Sequence, residues 1–148
     1  MIDLRFPTAV FTMMLLADAE EAGTPTLSST DLAASLGNNP SFVRTLAAPL
    51  VRDGLLASER GRGGGLRLAR PASEITLRDI YHSAVGGKRI WDVREEGPHV
   101  SLVTENACRY FDGLTADVED TVAAMLGEKT LADSLAELKA LPPAAAAG

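Results

Sequence analysis

The sequence predicts a mainly helical fold with one small β-hairpin. Three observations predict it: apolar residues recur at helical spacing in six segments, glycines and prolines separate these segments, and two short strand-like runs flank a glycine-rich turn. The 148 residues are 46% hydrophobic and 23% charged, which suffices for one ordinary domain with a core. The longest apolar stretch, residues 10–17, is less than half of the ~20 residues that a membrane-spanning helix needs.

Two helices are predicted in the first 37 residues. The first is expected over residues 7–22, because Pro7 suits a first helical turn. Its buried stripe is expected to contain Val10, Met14 and Ala17. The second helix is expected to begin after the cap Ser28, which has Asp31 three residues later, and to end at Gly37.

A third helix is predicted from the cap Asn39 to Gly54, with Pro40 in its first position. Its buried stripe is expected to be Val43, Leu46, Ala47 and Leu50. Pro49 removes a backbone donor and is expected to kink this helix or end it early. Because the second and third helices follow one another across a short turn, they have the spacing of a helix-turn-helix.

A β-hairpin is predicted directly after these helices, with strands at residues 55–58 and 66–70. The intervening residues include four glycines in five positions, together with Arg60 and Arg62. Such a turn takes positive φ angles and approaches other backbone closely. A hairpin in this place has the parts of a wing.

The second half of the chain is predicted to hold two further helices and a long one. Thr76 with Asp79 caps a helix that Gly86 closes, and a last helix begins at Thr130 and ends before the mobile tail, residues 142–148. No element is assigned to residues 88–104. Three apolar residues of that segment are expected to be buried: Ile90, Trp91 and Val93.

The long helix is expected over residues 107–126, with Asn106 as its cap. Apolar residues recur along it at steps of three and four: Phe111, Leu114, Val118, Val122 and Met125. A helix with such a seam must bury it. The same helix of a second chain is the expected partner, which predicts a homodimer.

Charge is segregated along the chain, whose formal net charge is −6. Residues 41–70 contain six arginines and two acidic residues, a local net charge of +4. Because salt screens charges beyond ~8 Å, a phosphate responds to this patch more than to the total charge. A solvated face is the alternative interpretation. The six arginines are Arg44, Arg52, Arg60, Arg62, Arg67 and Arg70.

Two strings of residues resemble a known family. They are Gly54-Leu55-Leu56-x-Ser58-x-Arg60-Gly61-x-Gly63-Gly64-Gly65 and Ile75-Thr76-Leu77-x-Asp79-Ile80. Both resemble the Rrf-two (Rrf2) family of bacterial transcription regulators, over residues 4–141. The string Asn39-Pro40-x-x-Val43-Arg44 is most similar to the YwnA-like branch of that family.

The resemblance implies a homodimeric winged helix-turn-helix regulator, more often a repressor, that binds a palindromic site on double-stranded DNA in the cytoplasm. The helix after Asn39 is then expected in the major groove and the wing in the minor groove. Residues 1–87 are the expected DNA-binding domain, and residues 88–141 the expected linker and dimerisation helices.

The expected DNA contacts divide into three groups. The first turns of a recognition helix contact base edges, which here are Ser41, Arg44 and Thr45. The wing arginines, Arg60 and Arg62, suit a narrow minor groove. Expected phosphate contacts are Arg52, Arg67 and Arg70, and a surface ion pair is the equal alternative for Arg52 and Arg70.

No cofactor is expected. Cluster-binding family members such as IscR carry three cysteines near positions 90–106, whereas this sequence has none there. An iron–sulfur cluster favours thiolates, and the acidic and imidazole groups of that segment are poor substitutes: Asp92, Glu95, Glu96 and His99. No other metal-ligand spacing is present.

Cys108 is the redox candidate, because it lies near the expected helix start and beside Arg109. A helix N-terminus and a neighbouring cation both favour the reactive thiolate. A small buried apolar residue is the alternative. With one cysteine in the sequence, any disulfide partner is another chain or a small thiol. The expected effector is a small molecule or an oxidant.

An enzyme is not expected, and no catalytic residue is predicted. The glycine-rich turn lacks a following Lys-Ser/Thr and runs into a strand, which excludes a P-loop. A Cys/His pair has no evident third group to orient it. Two alternatives stay open: a helical protein-interaction module, and a small-molecule-binding regulator without thiol sensing.

Overall fold

Six helices and one two-stranded antiparallel sheet make up the described part of the protein, residues 3–92 and 97–145 of a computed structural model. The elements in chain order are α1 (Arg5–Glu21), α2 (Ser29–Leu36), α3 (Pro40–Arg52), β1 (Leu56–Glu59), β2 (Gly65–Leu68), α4 (Leu77–Val85), α5 (Leu102–Gly127) and α6 (Leu131–Lys139). A 3₁₀ turn, Ala72–Glu74, precedes α4. The predicted fold class is confirmed.

Polar side chains determine where four of these helices begin. Ser28 and Asn39 each accept a hydrogen bond from the backbone N–H three residues later, at 3.0 and 2.9 Å. Thr76 and Thr130 form reciprocal capping boxes with the aspartates three residues later. Each such cap contributes ~0.5–2 kcal/mol to stability. These four predicted caps are confirmed.

The buried face of α1 differs by one residue from the expected one. Val10 and Ala17 are buried as predicted, but Met14 is only half-buried. Met13 and Leu16 occupy the core instead. Residues three or four apart share a helix face. Choosing Met14 in place of Met13 therefore rotates the predicted buried stripe around the helix axis.

The core lies where α1, α2, α3, α4, α6 and the hairpin meet. Each of these helices contributes at least one fully buried side chain: Leu16, Leu32, Leu50, Ile80 and Leu131. Burying a side chain of this size stabilises the fold by ~1.5–3 kcal/mol. The winged part of the molecule therefore rests on one shared core.

Helix α6 returns to α1. The Leu131 N–H donates to the Ile75 carbonyl at 2.7 Å. At the other end, Lys139 Nζ lies 2.6 Å from Asp18 and 2.7 Å from Glu21, and the hydrogen bond to Asp18 is the main reason that the pKa of Lys139 is raised. The division of the chain at residue 88 stays a prediction.

Pro49 does not end α3, although an early end was one of its two expected effects, the other being a kink. The helix continues to Arg52, and the Asp53 N–H donates to the Pro49 carbonyl at 3.0 Å. Only the hydrogen bond of the proline nitrogen itself is lost, and the fully buried Leu50 anchors the last turn. The four predicted core positions of α3 are all buried.

The strand bounds differ slightly from those predicted: β1 lies one residue later than expected, and β2 begins one residue earlier and ends two residues earlier. Leu56 pairs with Leu68, and Glu59 pairs with Gly65. A third segment joins them, because Leu27 exchanges two backbone hydrogen bonds with Leu66, of 3.0 and 2.8 Å. Sequence reasoning missed this bridge, since one residue has no periodicity.

Helix α5 begins five residues earlier than expected. Its cap is Ser101, which forms a capping box with Thr104, so Asn106 lies inside the helix and its side chain donates to the Leu102 carbonyl at 2.9 Å. Thr115 is the buried residue of α5. The helix lies against α4, residues 89–90 also contact it, and most of its remaining surface is exposed to solvent.

The predicted seam of α5 is uncovered within one chain. Phe111 is 41% exposed, Leu114 is 37% exposed, and Met125 is also exposed. Val118 and Val122 are half-buried. The five residues share one side of a 26-residue helix, as their spacing predicts.

The segment after α4 crosses α5 on the surface. Ile90 and Trp91 are 39% and 38% exposed, so the expectation that they are buried is wrong for the single chain, and Val93 lies outside the described residues. The Ile90 N–H donates to Glu119 of α5 at 3.1 Å. No helix in the described residues has the length and apolar character of a membrane crossing.

Candidate nucleic-acid interface

The outer face of α3 carries three of the predicted contact residues. Ser41, Arg44 and Thr45 are all exposed, while the opposite face of the helix is buried in the core. Arg44 Nη2 donates to Ser41 Oγ at 3.3 Å, and Thr45 Oγ1 donates to the Ser41 carbonyl at 3.0 Å. The first turns of α3 thus present hydroxyl and guanidinium groups around a helix N-terminus, where backbone N–H groups favour anions.

Glycines give the β1–β2 turn its path. A Cβ at Gly64 would lie 2.8 Å from the Gly61 carbonyl oxygen and closer still to that of Glu59. At Gly65, φ is +149° and a Cβ would overlap the Leu27 backbone. These two positions exclude a side chain, which holds the turn tight and leaves Arg60 and Arg62 exposed at its tip.

A groove of about 470 Å³ lies between α3 and the hairpin. Arg44 and Ala48 line it from α3, and Ser58 and Glu59 line it from β1. The turn that carries Arg60 and Arg62 continues directly from this part of β1. Arg44 and the wing therefore face one another across a single groove.

Three of the six arginines are paired with acidic residues. Arg52 lies 3.1 Å from Asp53, Arg67 lies 2.7 Å from Glu59, and Arg70 lies 3.7 Å from Asp79. The Arg52 hydrogen bond is the main reason that the pKa of Asp53 is lowered from its usual 3.8. In this structure Arg52 and Arg70 thus form surface ion pairs, the predicted alternative to phosphate contacts. All three pairs are exposed, so each contributes little, and a phosphate competes with them.

The other three arginines have no acidic partner within residues 3–92 and 97–145. These are Arg44 on α3 and Arg60 and Arg62 in the turn. Glu59 is the residue that sequence reasoning missed at this surface. The side chain of Glu59 reaches Arg67 because of the way β1 and β2 are paired, and no local sequence pattern indicates that pairing.

Cys108 lies in a different setting from the expected one. It is half-buried and is the seventh residue of α5, beyond the first turn in which a helix N-terminus acts. Arg109 is turned toward Asn106, to which its Nη2 donates at 2.9 Å. The expectation that Cys108 lies near a helix start is therefore wrong, because the helix starts at Leu102.

The donor groups do not fit an iron–sulfur cluster. The sequence has one cysteine, and cluster iron is held mainly by several thiolates. The described residues contain no grouping of three or more histidine, cysteine, aspartate or glutamate side chains suited to a metal. Glu95 and Glu96 lie outside the described residues, and His99 is exposed.

Comparison with known proteins identifies the family. The Rrf2 family model, described as an iron-dependent transcriptional regulator, matches residues 2–137. The chain belongs to the Rrf2 family. Rrf2 proteins are transcriptional regulators that bind DNA, and they are not enzymes.

Relatives agree with this assignment. Rv1287 of Mycobacterium tuberculosis, named as an HTH-type transcriptional regulator, is 31% identical over 131 residues, which are 84% of this chain and 74% of that protein. Protein aau3 of Rhizobium meliloti is 48% identical over 50 residues, and the matched part spans about a third of its length (32%).

Solved structures share the fold of this Rrf2 chain. A transcriptional regulator from Lactobacillus plantarum has a TM-score of 0.78 at 24% identity, over 94% of this chain and 92% of that one. CymR of Bacillus subtilis, described as the global cysteine regulator of that organism, has a TM-score of 0.67 at 23% identity, over 93% and 97% of the two chains.

Proposed function

We propose that the protein is a homodimeric repressor that binds a palindromic operator through α3 and the β1–β2 turn. The observation that carries the proposal is the sorting of the arginines: Arg44, Arg60 and Arg62 have no acidic partner in the described residues. Arg44 lines the groove between α3 and β1, and the turn with Arg60 and Arg62 follows directly after Glu59 on its other wall. Unpaired guanidinium groups bind phosphates and base edges without first breaking an ion pair. The protein then works in the cytoplasm, where the chromosome lies.

Each surface has a defined role on DNA. The first turns of α3 enter the major groove, where Arg44 forms a bidentate pair with guanine that is worth ~1–3 kcal/mol of discrimination. Ser41 and Thr45 contact neighbouring base edges. The glycine-rich turn follows the minor groove, whose negative potential attracts Arg60 and Arg62.

Phosphate contacts come from the paired arginines. Arg52, Arg67 and Arg70 lie on the flanks of the same domain, and each exchanges its carboxylate for a DNA phosphate on binding. Such contacts fix the position of the protein without reading sequence. They add to the dependence of affinity on salt.

The homodimer is supported by the uncovered seam of α5. Phe111, Leu114 and Met125 are exposed along one side of the helix. Pairing two such helices buries these side chains and places two α3 helices on one duplex. Half-sites one helical turn apart, ~34–36 Å, match this arrangement.

The protein is proposed to work without an iron–sulfur cluster, since it offers one thiol.

We also propose that oxidation of Cys108 regulates DNA binding. Two features support this: Cys108 is not fully buried, so an oxidant can reach it, and it lies on α5 three residues before Phe111 of the seam. Replacement Cys108→Ser is expected to abolish any effect of diamide on DNA release, and an unchanged effect contradicts thiol sensing.

A small-molecule effector is the second candidate, favoured by two adjoining cavities of about 320 and 340 Å³. They share Tyr81, Val85 and Lys88, at the place where α4 leads toward α5. A ligand bound there would contact the DNA-binding part of the molecule and the segment before the dimerisation helix together.

Binding to duplex DNA over a range of salt concentrations tests the proposal. The affinity for a site selected from random duplexes is expected to fall steeply as salt rises, because bound phosphates release counterions. Arg44→Ala is expected to relax the base preference at one position of each half-site. Arg60→Ala and Arg62→Ala are expected to weaken binding to all sequences.

Lys129→Ala is the matched control, because it removes one positive charge that is already paired with Glu137 at 2.9 Å, on the connection between α5 and α6. It is expected to leave DNA affinity unchanged. A salt-independent affinity, or equal weak binding to every duplex, contradicts the proposal and favours a protein-interaction module.

A further inference from the structure

Phe42 is an exposed aromatic side chain in the first turn of α3. It is the third residue of the helix and is 36% exposed. Its backbone N–H donates to the Asn39 side chain at 2.9 Å, which fixes its position in the turn. The DNA contacts derived above make no use of it.

The helix geometry places Phe42 on a defined side of the outer face. Consecutive residues of an α-helix are ~100° apart, so Phe42 and Arg44 lie on opposite flanks of the face that Ser41 and Thr45 occupy. Arg44 lines the groove toward the wing. Phe42 consequently faces away from the wing, toward a different part of any groove that α3 enters.

The chemistry of Phe42 selects its partner. Its ring neither donates nor accepts an ordinary hydrogen bond, and it sits beside residues that do both. The major groove offers one apolar group at base edges, which is the C5-methyl group of thymine, and Phe is among the side chains that contact it. We infer that Phe42 reads the methyl group of one thymine in each operator half-site, an inference that rests on the proposed function.

Location, more than exposure, supports this inference. A single exposed apolar side chain is ordinary on a protein surface. Trp91, Tyr110 and Phe111 are also exposed, but they lie on α5 or on the segment before it. Phe42 is the exposed aromatic residue of α3 and lies within its reading turn.

Thymine-to-uracil replacement tests the inference, because uracil lacks only the methyl group. A duplex is first selected with the wild-type protein, and each thymine is then replaced singly by uracil. At one thymine per half-site the dissociation constant is expected to rise about fourfold, which corresponds to ~0.8 kcal/mol for one buried carbon group. Phe42→Ala is expected to bind the duplexes with thymine and with uracil at that position equally. It is expected to keep any wild-type response to uracil at other positions.

Two variants control the experiment. Phe11→Ala removes a phenylalanine of similar exposure (43%) from α1 and is expected to preserve the wild-type uracil response. Phe42→Leu keeps an apolar side chain and is expected to retain part of the response. Circular dichroism of each variant verifies the helical content.

The outcomes separate this inference from the function on which it rests. If no duplex is selected, the proposed function fails and the inference fails with it. If a duplex is bound specifically but no thymine shows a methyl effect that depends on Phe42, the inference is overturned and the proposed function stands. The inference is also overturned if Phe42→Ala weakens binding to the thymine and uracil duplexes by the same factor, because the variant then keeps the wild-type preference for thymine.

Discussion

Glu59, which is paired with Arg67, places a negative charge at the proposed DNA-binding surface. Arg67 Nε donates to Glu59 Oε1 at 2.7 Å, and Glu59 also lines the groove opposite Arg44. Both side chains are roughly half exposed, so the pair itself is worth only ~0–1 kcal/mol. Its larger effect is on DNA, because a carboxylate near phosphates weakens binding.

Glu59→Gln is expected to increase affinity for DNA. The substitution removes the negative charge, and Arg67 no longer has to break an ion pair when it binds its phosphate. Because the number of phosphates bound is unchanged, the slope of log affinity against log salt is expected to stay the same while the affinity rises. Fluorescence anisotropy at four or more salt concentrations measures this slope. Arg67→Ala should then cost more affinity in the Glu59→Gln background than in the wild type, and an equal cost contradicts the release of Arg67.

Sequence reasoning identified the residues of this surface better than their partners. Arg44, Arg60 and Arg62 were chosen from their places on a helix and in a turn, which are local features. The partner of Arg67 depends on strand register, because Glu59 is diagonal to Arg67 in the observed pairing of β1 with β2, and no register was predicted from the sequence. A one-residue error changes which side chains share a face.

Among the elements, α6 has a cap whose contribution depends on pH. The Thr130 N–H donates to the Asp133 carboxylate at 3.0 Å, and this bond is the main reason that the pKa of Asp133 is lowered from its usual 3.8. A lowered pKa means that the folded state favours the ionised form. The stabilisation is therefore present above pH 3.8 and is lost as the pH falls through the lower folded value.

Asp133→Ala is expected to lower the melting temperature at pH 6, by an amount that shrinks as the pH falls below 3.8. Thermal unfolding followed by circular dichroism between pH 6 and pH 2.5 measures the difference. Glu20→Gln, which removes an exposed charge from α1, should show no such pattern. A constant difference between wild type and Asp133→Ala at every pH contradicts a role for the ionised carboxylate.

The wing is the element whose shape depends most on one residue. At Gly64 a Cβ meets the carbonyl oxygens of Glu59 and Gly61, so Gly64→Ala must open the turn. We expect a loss of ~1–3 kcal/mol in the free energy of unfolding, as for other overpacked sites, together with weaker DNA binding. Urea denaturation and anisotropy measure the two effects.

Gly63→Ala is the comparison for that prediction. Gly63 has φ of +78° but nothing within 4 Å of a Cβ, so the variant is strained by ~1–2 kcal/mol without a collision. It should therefore bind DNA better than Gly64→Ala. The reverse order contradicts the proposed packing of the turn.

Helix ends were predictable where they depend on adjacent residues. Asn39 and Thr76 were found as caps because the side chain and the N–H that it accepts are three residues apart. The start of α5 was missed because its box pairs Ser101 with a threonine, Thr104, in place of the usual acidic or amide residue. Asn106, a good cap by composition, instead bonds backward to a carbonyl within the helix.

At the scale of the whole molecule, long-range contacts were beyond sequence reasoning. The return of α6 to α1 joins Lys139 to Glu21 across 118 positions, and no periodicity encodes such a distance. Ile90 and Trp91 were expected to be buried because they are apolar, yet burial depends on what covers them. In the described residues of one chain nothing fully covers the α5 seam, and Ile90 and Trp91 lie on the exposed segment that contacts α5 at Glu119.

Pairing of two chains through α5 is testable by charge. Phe111→Asp places a carboxylate on the seam, and burying it without a partner opposes association. The variant is expected to sediment as a monomer at concentrations where the wild type sediments as a dimer, and to bind operator DNA more weakly because two half-sites are no longer linked. Leu138→Asp, on an exposed part of α6 away from the seam, should remain dimeric. A monomeric wild type contradicts the proposed homodimer, and a dimer that tolerates Phe111→Asp but not Leu138→Asp places the interface elsewhere.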